Sequence, residues 1–456
     1  MKTLKKGLSI VLILILLAAM LTACQASVTS EASDSTATTV SDTADSTQPG
    51  TPPDGGMGGG APGGSTDVET GTGAYVLTDG ETLTDGTYTS NSDDENAIRA
   101  EGDITASLTD VTVEKTGGTA SSSDASSFYG LNAAILALDG AELNISGGEV
   151  TATTEGSNGV FAYGDAVINI TDTVINVSGG NAGGIEVAGG GTLYANNLTV
   201  NSTDKAAIRS DRGGGTLVVD GGTYTTEGTN GAPAIYSTAD ITVSNATLLA
   251  KDSEAVVVEG LNSVTLNNCD VTGNMDGEYG SDDSNIIKNV MLYQSMSGDA
   301  EEGTSSFTMN GGSLTSLNGD MFYVTNTDSV ITLSGVALKL ADGTDLLLVA
   351  GNTNERGWGT AGANGGTCAL TLSAQDAEGD VNVDEISALT FNIEEGSNYV
   401  GAVNSDGTEA GALDMTLSSD SSWTLTGDSY LTSFTGSLDN VTANGYMIYV
   451  NGSAIN

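Results

Sequence analysis

The chain predicts an all-β protein, a right-handed parallel β-helix of about 24-residue coils with a distinct C-terminal cap. The first observation is a stretch that recurs. Ile241-Thr242-Val243-Ser244-Asn245-Ala246-Thr247-Leu248 reads as a strand of alternating apolar and polar residues, a one-residue corner at Asn245, and the start of another strand. The same form returns with corners at Asp110, Gly147, Asp172, Asn197, Gly221, Asn268, Gly311 and Gly335. Every corner is Asp, Asn or Gly, the residue types that tolerate a left-handed backbone. Subtracting neighbouring corner numbers gives 37, 25, 25, 24, 24, 23, 43 and 24, the mark of one unit stacked many times.

The second observation is a ladder in phase with the first. Asn96-Ala97-Ile98, Ala133-Ala134-Ile135, Asn158-Gly159-Val160, Gly183-Gly184-Ile185, Ala206-Ala207-Ile208, Pro233-Ala234-Ile235 and Glu254-Ala255-Val256 each open a strand with a β-branched residue after two mostly small ones. Third, helical periodicity is absent from the repeat, which excludes helical repeat architectures. In such a coil, backbones pair rung to rung at roughly 4.8 Å. Ile241, Val243 and Leu248 then stack inward, while Thr242, Ser244 and Thr247 point outward. About sixteen coils would make one elongated domain roughly 75 Å long.

Residues 1–23 read as a lipoprotein signal peptide. Lys2, Lys5 and Lys6 form the basic region, Leu8 to Leu21 the apolar one, and Leu21-Thr22-Ala23-Cys24 resembles the lipobox of bacterial lipoproteins. That resemblance implies lipidation at Cys24 and an anchor on the outer face of the bacterial cell membrane. Residues 24–72 are rich in Ser, Thr, Gly and Pro, the composition of a disordered tether. Residues 73–370 carry the β-helix repeats, and 371–456 the C-terminal coils and cap. In that last part Leu438-Asp439-Asn440-Val441 repeats the corner form, and Trp423, Tyr430, Tyr446 and Tyr449 supply rings to cover an open sheet edge.

Charge narrows the partners. With 59 acidic and 12 basic residues the formal charge is −47, a surface that repels nucleic acid and anionic lipid. With Cys24 lipidated, Cys269 and Cys368 read as small packing residues rather than a disulfide.

Two long corner steps mark loops. One surrounds Gly117 to Tyr129. The other holds Asp276, Glu278, Asp282 and Asp283, a density of hard oxygen ligands that suits Ca²⁺; a plain solvated acidic loop is the alternative. Asp93-Asp94-Glu95 is a second, smaller acidic cluster. Arg356 and Trp358, in a Gly-rich stretch, offer the fork and flat apolar face that sugar recognition uses, with Tyr279 as a further ring. The alternative for Trp358 is a cap on the apolar column.

The rungs at 96–340 resemble the pectate-lyase-like right-handed β-helix superfamily. The Trp358 loop, the strands after it and the Trp423-Thr424-Leu425-Thr426-Gly427-Asp428-Ser429-Tyr430 ending are similar to a group of clostridial cell-surface lipoproteins described as carbohydrate-binding β-helix proteins. The resemblance implies calcium-assisted binding of a plant or cell-wall polysaccharide, acidic ones included, without established catalysis. A surface adhesin or structural spacer is one alternative, and a polysaccharide lyase or glycoside hydrolase another. No lyase or hydrolase motif can be matched, and no catalytic residue is assigned. Arg99 and Arg209 occupy the same repeat position, which reads as a surface role.

Cys24→Ala is expected to release the protein from the membrane fraction or block its maturation. Immunoblotting of fractionated cells checks this, and an Ala variant processed and sedimenting like the wild type contradicts the lipobox reading.

Overall fold

The computed structural model describes residues 68–277, 286–295, 297–351 and 358–456. Two large parallel sheets dominate, one of 12 strands and one of 20. In the 12-stranded sheet, spatial order equals chain order from Thr72–Val76 to Val381–Val383, yet no strand pairs with the next strand of the chain. Each pairs instead with its equivalent in the neighbouring repeat. Stacked parallel sheets of this kind are consistent with a parallel β-helix or solenoid.

The second ladder falls into register residue by residue. Ile98 pairs with Ile135, then Val160, Ile185, Ile208, Ile235 and Val256 follow in turn. All seven are fully buried. On the 20-stranded sheet Leu217, Ile241 and Val264 align, as do Tyr224, Leu248 and Val271 beyond the corner. These side chains join one continuous apolar core. Thr242 and Ser244 are half-buried and Thr247 is exposed, so the alternation read from the sequence is the alternation of the sheet faces.

All nine corners have positive φ, from 51° at Asp110 to 73° at Gly221. Left-handed backbone costs non-glycine residues free energy unless neighbours hold it. Side-chain amides of adjacent rungs do so: Asn245 Nδ2 donates to Asp220 Oδ1 at 2.7 Å, and Asn268 Nδ2 donates to Asn245 Oδ1 at 3.1 Å. Just past one corner, Cys269 is buried where its equivalents are Gly312 and Ala246. Cys368 is buried too, and both thiols are free.

Two local expectations are corrected. The excess chain after Asp110 contains a helix, Ser123–Tyr129, capped by Ser122 Oγ accepting from Ala125 N and stopped at Gly130 with φ 72°. It escapes the repeat because local capping, not rung pairing, satisfies its backbone. Leu438–Asn440 is a 3₁₀ turn rather than a corner, with Ser437 Oγ accepting from Asp439 N.

Toward the C-terminus a 4-stranded and a 3-stranded sheet are added. Tyr399 stacks on Trp423 with ring centroids 6.3 Å apart, and Tyr430 on Tyr449 at 4.8 Å. Ser453–Ala454 pairs antiparallel with Ile448–Val450, whereas the other strand pairs described here are parallel.

Asn245→Val is expected to lower stability by about 1–2 kcal/mol, since a β-branched residue is strained at φ 55°. Thr247→Val, on the exposed face, is expected to cost much less. Chemical denaturation compares the two, and equal losses contradict the corner's role.

Candidate functional site

The repeat sets up columns of outward side chains, and two surfaces built from them stand out. The first is a groove on the 20-stranded sheet. Ser107, Asn144, Asn169, Tyr194 and Val218 stand in register, one per rung. A parallel column of Thr109, Ser146, Thr171, Asn196 and Asp220 lies two residues along the strands. Together they line a groove of about 530 Å³. Asn169 Nδ2 donates to Asn144 Oδ1 at 3.0 Å, so each amide keeps a free donor or acceptor for a ligand. Tyr194 is 46% exposed in the middle of the column. The first column continues as Thr242, Thr265, Thr308, Thr332 and Thr371.

The second surface lies on the 12-stranded sheet. There Arg99, Leu136, Phe161, Glu186, Arg209, Tyr236, Val257, Met291 and Tyr323 align outward. All but the half-buried Tyr236 are buried: Thr70 lies against Arg99, the helix residue Ser127 against Arg209, and Trp358 packs with Val257, Met291 and Tyr323. The surface role read for Arg99 and Arg209 is thereby corrected: the position is equivalent in both, but each guanidinium lies under covering chain. Arg99 donates to Thr70 O and Oγ1 at 2.8 and 2.9 Å. Arg209 Nη2 pairs with Asp211 Oδ2 at 2.5 Å, and its Nε lies 3.6 Å from Glu186 Oε1.

A cleft remains between the covering segments, lined among others by Phe128, Lys205, Arg209, Tyr236, Lys288, Tyr293 and Trp358. Its walls are tied together. Buried Glu259 accepts from Tyr236 Oη at 2.5 Å, Tyr293 Oη at 3.0 Å and Ser295 Oγ. Ser295 leads through Ser297 to Asp299, which holds Arg212 at 2.6 Å. Arg212 in turn sits 4.0 Å above the Phe128 ring. Burial raises the Glu259 carboxyl despite these donors, and burial pushes Glu186 up to about 8 against the pull of Arg209. The Lys205 ammonium lies below the ordinary lysine range through burial and the nearby Arg209.

Of the expected site residues, Trp358 lies in this cleft, 8% exposed and edge-on to Tyr293 at 4.8 Å. It packs on the outer face of the sheet with Val257, Met291 and Tyr323, so it does not cap the apolar column. Asp276 is exposed. Cys24, Glu278, Tyr279, Asp282, Asp283 and Arg356 lie outside the described residues. Among the described residues no group of three or more His, Cys, Asp or Glu is placed to hold a metal; of the residues expected to bind calcium, only Asp276 is among them. Asp93 and Asp94 instead accept from Thr119 N and Ser121 N at 2.8 and 2.7 Å. The sequence carries a signal for this covered face: the positions after the second ladder include Leu136, Phe161 and Val257, apolar where a solvent-facing column would be polar. Comparison with models of known families, with curated proteins and with solved structures gives no match.

Glu186 supplies a pH prediction. Its folded value near 8 lies above the ordinary 4.5, so the fold favours the protonated acid. That contribution is complete below 4.5 and is lost as pH rises through 8. Glu186→Gln is expected to lose less stability than the wild type between pH 6 and 9 in denaturation series. Parallel pH profiles contradict the assignment.

Proposed function

We propose that the protein is a membrane-anchored extracellular polysaccharide-binding protein, its strands wound as a right-handed parallel β-helix of about 24-residue coils. The sugar chain lies in the groove of the 20-stranded sheet. The observation that carries this reading is the exposed Tyr194 ring, which follows Ser107, Asn144 and Asn169 in its column, precedes Val218 and lies beside a parallel column of Thr, Ser, Asn and Asp220. An extended β-linked glycan advances per sugar by about the rung spacing of ~4.8 Å, so successive sugars meet equivalent hydroxyls and amides. The ring offers an apolar face to the C–H side of one sugar.

The groove also favours a neutral glycan. In a chain of charge −47 its lining carries one ionisable carboxylate, Asp220, and no cation. Retaining and inverting glycosidases need a pair of carboxylates, so the groove supports binding over hydrolysis. Lipidation at Cys24 and the tether of residues 24–72 would hold this surface outside the cell.

Tyr194→Ala is expected to weaken binding of its glycan about tenfold, as loss of an interface aromatic does, and to leave the melting temperature unchanged. Affinity electrophoresis against soluble neutral and acidic polysaccharides, with calcium and with chelator, measures this. Unchanged affinity contradicts the groove, and binding lost in chelator points instead to the carboxylates of 276–283.

A further inference from the structure

We infer that the charged cleft over the 12-stranded sheet is a second binding site and takes one small ligand bearing a carboxylate. It lies on a different sheet from the groove and does not rest on the glycan reading. Beyond the leader the chain has 12 − 3 = 9 cationic residues. Lys205, Arg209 and Lys288 all line this one cleft, and Arg212 anchors its wall. The same cleft is lined by Asp124, Asp211, Glu254 and Asp299.

Three of the neighbouring carboxylates, Asp211, Glu254 and Asp299, are already engaged. Asp211 pairs with Arg209 at 2.5 Å, whereas Glu186 Oε1 lies 3.6 Å from Arg209 Nε and neither Glu186 oxygen has a hydrogen-bond partner among the described residues; burial favours its protonated form, whose O–H can donate. Glu254 accepts from Gly231 N and Ser253 Oγ, Asp299 accepts from Arg212 and Ser297, and Asp124 stands exposed on the helix. Donors remain beside them. Arg209, 8% exposed, has a buried Nη1 without a hydrogen-bond partner among the described residues. The Lys205 ammonium makes no ion pair among them. A buried guanidinium N–H left unpaired is costly, and a carboxylate oxygen meets it with a charge-assisted bond. Tyr236, Tyr293 and Trp358 supply apolar walls for the rest of the ligand.

The space is about 80 Å³. One water needs about 10–15 Å³ by such a measure, so the cleft admits a carboxylate with a short body and not a polymer lying across it. Two sources share that chemistry: a single acidic sugar and a free organic acid.

Trp358 reports on the site, because the other tryptophan, Trp423, is fully buried in the 4-stranded sheet. Glucuronate, glucose and acetate are titrated against the full-length protein while tryptophan emission is followed. Glucuronate is expected to change it saturably, and glucose, with a hydroxymethyl group in place of the carboxylate, is not. Saturation by acetate at similar concentration assigns the site to free acids, and its failure assigns it to the sugar acid. Lys205→Met is expected to weaken acid binding at least about tenfold; this partly exposed position keeps the test open should Arg209→Met fail to fold. Glucose binding as tightly as glucuronate, no saturation by either acid, or unchanged affinity in Lys205→Met overturns the inference. The readout is local to Trp358, so its failure leaves the groove reading untouched.

Discussion

Parallel backbone pairing between successive repeats is the constraint from which the rest of the molecule follows. A strand that pairs only with its equivalents in neighbouring repeats must meet them in identical register, because a slip of one residue turns the apolar side chains outward. The chain must therefore return to the same point with every repeat, and the left-handed corner is where its direction is reset. Ile98 to Val256 and the nine positive-φ corners express one requirement at two positions of the repeat. The amide contacts between adjacent corners, such as Asn268 to Asn245, add side-chain bonds where the ladder would otherwise be interrupted.

The same register turns single outward residues into columns, and a column inherits whatever chemistry its positions hold. On the 20-stranded sheet these positions are mostly hydroxyls and amides, with Tyr194, Val218 and Asp220 among them. On the 12-stranded sheet they are apolar or charged, and inserted chain covers them. Insertions are the means by which a periodic scaffold gains a non-periodic site. The helix Ser123–Tyr129 contributes Phe128, the stretch after Tyr293 contributes Ser295 and Asp299, and a third contributes Trp358. Arg212 on Phe128 and Asp299 links two of these insertions. The cleft is thus assembled from residues some 230 positions apart, Phe128 to Trp358, whereas the groove comes from the repeat alone.

This difference explains what could be read in the sequence. Corner positions, inward residues and strand register depend on local pattern, and Asn245, Ile241 and Ile208 sit where periodicity puts them. Arg209 looked like a surface residue because periodicity gives its direction but not what lies over it. Its partner Glu186 is one rung away and legible in principle, while Asp299 and Trp358 arrive by loops whose course no repeat dictates. The chemistry of Trp358 is legible in the sequence, whereas its place against Tyr293 depends on tertiary packing that spacing does not encode. The 3₁₀ turn at Leu438–Asn440 likewise shares the corner's composition while lacking its backbone.

The central claim is that equivalent rungs bind equivalent sugars. It is tested most directly by the affinity of β-linked oligosaccharides of increasing length, measured by calorimetry. Five rungs carry the groove's first column, from Ser107 to Val218. Affinity is expected to rise with each added sugar up to about five and then level off, given one sugar per rung of ~4.8 Å. A monosaccharide binding as tightly as a pentasaccharide would contradict the account.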